Sequence, residues 1–394
     1  MKTGLFFLLL GYVLSQFYRA FLAVLAPALL TDLGVGADDL ARASGYWFLA
    51  FALMQIPVGW ALDRMGPRLT ASVLLAIGGG GGALLFALAQ SALAIDIAMV
   101  LIGIGCAPVL MASYYIFARA YPPAVFGMLA GIIVGVGSLG NIASALPLAW
   151  SADFFGWRET VFALAAITFA VAIAAGRFVP DLPAVTAEGA PRGSLLDLLR
   201  MPALWFILPM LLVAYAPSAG IRGLWIGPYF ADVHGAGGAG VGQATLVMGF
   251  AMVAGSILYG PLDRLFRSRK WVVFGGNALG LVCLVALALW PQAGFWNAAL
   301  LLAAVGFFGA SFPTIMAHGR SFVPPHLTGR GVTLLNLFSI GGVGLLQMLS
   351  GRIHATALAS GAGPAEAYQM LFWFFAAAQI VGLAVYLFSK DRLD

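Results

Sequence analysis

Twelve apolar runs punctuate the chain, at about 4–30, 44–62, 69–90, 96–118, 126–149, 159–179, 203–230, 243–262, 271–290, 297–318, 330–350 and 367–389. Short polar or Gly/Pro-rich breaks separate them. A bilayer's hydrocarbon core takes about 20 apolar residues per helical crossing, so each run is long enough to span it. With 62% hydrophobic and only 9% charged residues, the chain lies far outside the composition of soluble domains. The runs are too long and too continuously apolar for the alternating strands of a barrel, which are about 10 residues each. The expected fold is therefore all-α and polytopic, with 12 transmembrane helices.

The start, "MKTGLFFLLLGYVLSQ", has the lysine and apolar stretch of a signal peptide. The run continues to Leu30, past a normal signal core, so it is read as the first helix. Cys106 and Cys283 fall in different halves without a CxxC or Cys/His cluster, which gives no disulfide or metal framework. No cofactor is expected.

The net charge of +5 follows the membrane rather than a nucleic-acid footprint, so no nucleic acid is expected as partner. With a cytoplasmic N-terminus, one face collects fifteen of the twenty basic residues, and the other only Arg42, Arg158 and Arg352. The positive-inside rule then places both termini in the cytoplasm, as for a protein of the cell (inner) membrane in contact with lipid. Two basic residues, Arg19 and Arg222, are left within the apolar runs.

Shifting the chain by about 200 residues brings its halves into register. "GWALDRMGPR" at 59–68 meets "GPLDRLFRSRK" at 260–270, and "ARAYPPAVFG" at 118–127 meets "GRSFVPPHLTG" at 319–329. Tyr12, Ser15 and Arg19 correspond to Tyr215, Ser218 and Arg222 at a constant offset of 203. Spacings of three and four put each trio on one helical face. The organisation expected is an N-terminal six-helix bundle over 1–179, a cytoplasmic linker over 180–200 and a C-terminal six-helix bundle over 201–394. Parallel duplications of this kind occur in transporters, with the site near the midplane between the halves.

On these residues the chain resembles the major facilitator superfamily over essentially its whole length. The signature loop of that family is matched by Gly59, Asp63, Arg64, Gly66 and Arg68, with a degenerate copy at Gly260, Asp263, Arg264, Arg267, Arg269 and Lys270. The resemblance implies two pseudo-symmetric six-helix bundles, transport by alternating access and action as a monomer. It also casts Asp63, Arg64, Arg68, Asp263 and Arg264 as gating residues, whose charges pair in one conformation and separate in another. Two family patterns are missing: the fourth helix has Gly103 and Gly105 without the usual Arg, and the fifth lacks the Gly-Pro pattern of drug antiporters.

An arginine at the centre of a membrane helix costs about 2.5–3.5 kcal/mol on insertion scales. All fifteen acidic residues can be assigned to loops, helix ends or termini, so no carboxylate is available at mid-depth. The missing partner is an anionic substrate, because guanidinium groups bind carboxylate or phosphate oxygens in bidentate fashion. Arg19 and Arg222 are the expected clamp. Tyr12, Ser15, Gln16 and Tyr18 on the first helix, and Tyr215, Ser218, Trp225 and Tyr229 on the seventh, would surround it. Tyr114, Tyr115, Asn141, Asn336, Gln347 and Gln55 are further candidates from other helices, equally suited to interhelical hydrogen bonding. Each arginine can also serve the fold alone, by bonding carbonyls.

"FYRAFLAVLAPALLTDLG" is similar to the first helix of the anion:cation symporter and organophosphate antiporter branches, in which an arginine here pairs with one on the seventh helix to recognise carboxylate or phosphate. Many proton-coupled members carry an acid just before that arginine. Here the position is Tyr18, which leaves co-transport of H+ or Na+, exchange and uniport all open. The function expected is secondary transport of a small organic or inorganic anion. The rivals are an exporter of hydrophobic or cationic compounds, which calls for a cavity acid, and a copper importer resting on the Met248/Met252 pair. No HExxH, GxSxG or buried acidic pair supports an enzyme. His318 is expected at an interface.

Overall fold

A computed structural model of the chain describes residues 2–121, 123–180, 198–324 and 328–392. Among them there is no strand. The chain divides into two compact units, Met1–Glu188 and Gly189–Asp394. Most of the segment expected as a linker, 181–197, lies outside the described residues.

The first unit holds α1, bent by 50° between Thr3–Tyr18 and Phe21–Leu33, then α2 (Ala37–Leu62), α3 (Arg64–Ala87), α4 (Ala92–Phe117), α5 (Ile132–Phe155) and α6 (Trp157–Phe178). The second holds α7 (Pro202–His234), α8 (Gly238–Leu265), α9 (Arg269–Leu289), α10 (Phe295–Arg320), α11 (Gly331–Ala359) and α12 (Pro364–Tyr386). Among the described residues eleven helices are long and apolar enough to cross a membrane, and the bent pair brings the number to as many as twelve.

Lipid tails are as apolar as leucine, so helices in a bilayer associate through close packing, small residues and hydrogen bonds. A side-chain carbon at Gly140 of α5 would run into the Val13 carbonyl of α1, and one at Gly342 of α11 into the Leu212 carbonyl of α7. These glycines, 202 residues apart, let backbones touch at matching places in the two bundles. Gly34 and Gly235, both at φ +64°, end α1 and α7 in left-handed turns, and their N–H groups donate to Leu30 and Ala231 carbonyls. Glycine adopts that conformation without the penalty a Cβ brings.

A second matching device involves two acids. The Trp157 indole N–H at the start of α6 donates to Asp32 at 2.7 Å, and the Tyr368 hydroxyl on α12 donates to Asp232 at 2.7 Å. Hydrogen bonds to a charged group are worth about 1.5–3 kcal/mol, so each ties the last helix of a bundle to the end of its first.

Two runs expected to be continuous are not. Within 4–30, α1 breaks at Arg19 and Ala20, the latter at φ −131° and ψ 0°. Within 203–230, α7 is a series of short helices with a π-helical turn at Ile221–Trp225. Prolines explain the second case: Pro209, Pro217 and Pro228 remove backbone donors along the span. No proline or glycine sits at the first break, and Pro27, deeper in α1, faces the carbonyl of residue 23 rather than 19.

Candidate functional site

Each arginine stands at the interruption of its helix. Arg19 is the residue between the two halves of α1, and Arg222 lies in the π turn of α7. A helix break frees backbone groups and lets a side chain leave the packed face, which is where membrane transporters commonly hold charged substrates.

In the N-terminal bundle, Arg19 is half-buried. Its guanidinium carbon lies 4.8 Å from the Phe51 ring centre and 5.4 Å from that of Trp47. The two rings, one helical turn apart on α2, stack at 5.2 Å and 17°. A desolvated cation against an aromatic face gains up to about 2 kcal/mol, but a ring face accepts none of the guanidinium's hydrogen bonds. Among the described residues Arg19 makes no hydrogen bond or ion pair, and its Nε is buried. The Trp47 Nε1 is likewise buried without a partner, while the Ser15 hydroxyl, one turn earlier, lies within hydrogen-bond reach of the Cys106 thiol on α4. An unmet buried polar group costs about 1–3 kcal/mol, and Arg19 and Trp47 each carry one here.

The rest of the N-terminal set divides. The Gln16 amide donates to the Tyr12 hydroxyl at 3.2 Å, and both are buried. Tyr12's ring covers Gly137 on α5, where any side chain would collide with it. The Tyr115 hydroxyl accepts from Arg119 at 2.6 Å, and the Gln55 amide from α2 donates back to the Phe51 carbonyl at 3.1 Å. Tyr18 is not brought to Arg19's side. It is fully buried, with its hydroxyl 2.8 Å from Thr168 Oγ1 on α6. Neighbours in a helix point about 100° apart, and that rotation turns Tyr18 into the bundle.

In the C-terminal bundle, Arg222 is only 3% exposed. Its guanidinium lies over Gly249 of α8, whose missing side chain provides the room: a Cβ there would sit 3.1 Å from Nη2 and 3.3 Å from Nε. Tyr215 is within electrostatic reach of Arg222 and stacks on Phe312 at 5.6 Å. Ser218, fully buried against Gly309, donates to the Tyr215 carbonyl at 3.1 Å. Asn336 is half-buried on α11. Gln347, 1% exposed, has neither amide atom paired and presses on Gly220.

Trp225 and Tyr229 are buried, with their polar atoms engaged by other parts of the bundle. The Trp225 indole donates to Ser350 at 2.8 Å and its ring packs on His354 at 4.9 Å. Tyr229 donates to the Pro291 carbonyl at 2.6 Å. The helical-face argument assumed 3.6 residues per turn. The π turn between Arg222 and Trp225 has a wider hydrogen-bond spacing and swings the later residues toward α11 and α12.

The loop residues expected to gate are partly visible. Asp263 pairs with Arg269 at 3.2 Å inside its own loop, Arg264 is exposed, and Arg64 covers the Trp60 ring at 4.9 Å. Gly66 takes φ +79°, separating α2–α3 geometry before Pro67 and Arg68. The Asp63 side chain lies outside the described residues. Among the described residues no group of three or more His, Cys, Asp or Glu could hold a metal; Met248 and Met252 pack over Gly306 of α10. His318 is buried within the bundle near the end of α10, with its ring nitrogens 2.6 Å from the Tyr386 hydroxyl and 2.9 Å from the Lys390 carbonyl.

Trp47, Phe51 and Gly249 are the residues that sequence reasoning missed. A pocket of about 770 Å³ elsewhere in the first unit, lined by Gln90, Arg158, Glu159 and Phe162 among others, contains none of the arginine-station residues.

The model of the Major Facilitator Superfamily matches residues 8–347. The chain belongs to that family. It is 24% identical over 323 residues to a Cupriavidus necator protein named "Probable sulfoacetate transporter SauU", covering 76% of this chain and 74% of that one. It is 25% identical over 188 residues to the hexuronate transporter of Bacillus subtilis, covering 47% and 44%. Among solved structures, a bacterial homologue of the human lysosomal transporter Spinster superimposes with a TM-score of 0.77 at 20% identity, over 98% of this chain and 96% of that one. A D-xylose–proton symporter superimposes with 0.79 at 14% identity, over 98% and 97%. The chain is thus an integral membrane transporter for a small molecule, not an enzyme, and alternating access fits its fold.

Proposed function

We propose that this transporter moves a small organic or inorganic anion, a carboxylate, phosphate ester or oxyanion, and that Arg19 and Arg222 bind it. The observation that carries the reading is Arg19: a guanidinium at a helix break, walled by two aromatic rings and without a hydrogen bond or ion pair among the described residues. A cation kept in a membrane span at a cost of several kcal/mol has its need met when a bidentate anion arrives.

The names of the relatives point the same way, since sulfoacetate and a hexuronate are both anions. The Met248 and Met252 side chains on which a copper reading would rest pack over Gly306 of α10, a gap-filling role common for methionine. The protein is taken to act as a monomer in the cell membrane with cytoplasmic termini, and H+ or Na+ remain the candidate co-transported ions.

The test is uptake into proteoliposomes by counterflow, with a panel of malonate, sulfoacetate, phosphonoacetate, a hexuronate, inorganic phosphate and sulfate as competitors. At least one anion is expected to be carried and to compete. Transport of a cation or a neutral lipophile with no anion competing would overturn the reading.

A further inference from the structure

The buried groups left unmet near Arg19 have a chemistry of their own. A guanidinium and an indole carry N–H donors and no acceptor. Arg19 Nε and Trp47 Nε1 are both buried and both without a partner among the described residues, so bulk water does not reach them in this conformation. Trp47 is also held still: it is 1% exposed, stacked on Phe51, and set edge-on to Phe48 at 4.9 Å and 81°. A donor fixed in this way, with the Arg19 guanidinium carbon 5.4 Å from the centre of its ring, is free to serve a ligand held by that guanidinium.

Counting oxygens separates the anion classes. A planar carboxylate offers two, and a guanidinium takes both in bidentate pairing. The carboxylate's remaining lone pairs lie in that same plane, so an indole N–H can join the pair only from within the plane. A tetrahedral headgroup, sulfonate or phosphonate, offers a third oxygen out of the plane of the other two.

We infer that Trp47 is a specificity-determining residue that donates its indole N–H to the third oxygen of a tetrahedral XO3 headgroup held by Arg19. The substrates of this transporter are then organic sulfonates or phosphonates in preference to simple carboxylates. This rests on the anion reading above and narrows it. The preference belongs to the N-terminal bundle alone. At the offset of 201 that aligns Gly59 with Gly260, the positions matching Trp47 and Phe51 are Met248 and Met252, which have no N–H donor in their side chains.

The experiment uses the purified full-length chain and three anions of one skeleton: malonate, sulfoacetate and phosphonoacetate, with binding measured by calorimetry. Wild type is expected to bind at least one tetrahedral anion about tenfold or more tightly than malonate, as fits a hydrogen bond to a charged group. The better of the two tells sulfonate from phosphonate. Trp47→Phe keeps a ring for the guanidinium and removes the donor. It should bring the tetrahedral anion down to malonate's affinity and leave malonate within about twofold, on the same reasoning.

Equal wild-type affinity for all three, binding of malonate alone, or an equal loss of all three in Trp47→Phe would overturn the role of Trp47 and leave the anion reading intact. No binding or transport of any anion in the panel would overturn both. The wild-type ratio needs no variant, so a Trp47→Phe protein that fails to fold does not spare the inference.

Discussion

Arg19 and Arg222 hold matching positions in a duplicated chain, 203 residues apart, in unlike surroundings. Arg19 is half-buried, faces an aromatic pair and sits at a simple break in α1. Arg222 is 3% exposed, sits in a π turn and lies on a glycine. Trp47 and Phe51 on α2 give way to Met248 and Met252 on α8. Ser15 lies against the Cys106 thiol of another helix, whereas Ser218 bonds back to its own helix. A duplication preserved the charge, the helix interruption and the Tyr and Ser two turns and one turn before it, and diverged in the walls around the charge. The N-terminal station offers shaped donors; the C-terminal one offers a buried cation held by the absence of a side chain.

That contrast can be broken first at the walls of the two stations. Gly249→Leu should drive the Arg222 guanidinium from its seat, because even a Cβ would come within 3.1 Å of it. Anion affinity should fall about tenfold or more, the scale of one charge-assisted hydrogen bond. Phe51→Leu in the other bundle should cost less, about three- to tenfold, since it removes one cation–π contact of about 1 kcal/mol. Titration calorimetry on both variants checks the order. A larger loss for Phe51→Leu would reverse the assignment of roles.

A smaller effect tests where the halves agree. Asp32→Asn and Asp232→Asn each weaken a hydrogen bond that ties the last helix of a bundle to its first. Each should lower stability by about 1 kcal/mol, read as similar drops in melting temperature. A drop for one variant only would show that the two ties are not equivalent.

The smallest effect concerns the end of the chain. Asp391 accepts the Lys270 backbone N–H at 3.0 Å. Burial pushes its carboxyl up, but bonds from Ser268 and from the Lys270 backbone and the nearby His318 outweigh that and hold it below the usual carboxylate range. A depressed folded value means the contribution is fully present above the unfolded pKa of about 3.9 and is lost as pH falls through the lower folded one. Asp391→Asn should therefore lower stability at neutral pH and converge on wild type as pH falls, which flattens the acid side of the stability profile. An unchanged acid limb would remove Asp391 from the account.

Much of this was legible in the sequence. Run length revealed the twelve crossings, and the 203-residue offset paired the arginines before any coordinates. The break at Arg19 was not legible, because "SQFYRAF" contains no proline or glycine and hydropathy sees an unbroken run. Trp47 and Phe51 were hidden in "GYWFLAF", where every helical face is apolar, so periodicity cannot separate a site wall from a lipid-facing side. The bond from Trp225 to Ser350 was hidden for a different reason: one π turn breaks the 3.6-residue rule on which the expectation rested. Asp32 and Asp232 were visible only as loop acids, since their partners lie 125 and 136 residues away.

The claim that both arginines bind the transported anion is tested most directly by calorimetry on Arg19→Gln and Arg222→Gln with the anion that wild type binds best. Loss of a bidentate charged partner predicts a fall of about a hundredfold in each, with helical content unchanged by circular dichroism. Wild-type affinity in either folded variant would contradict the account.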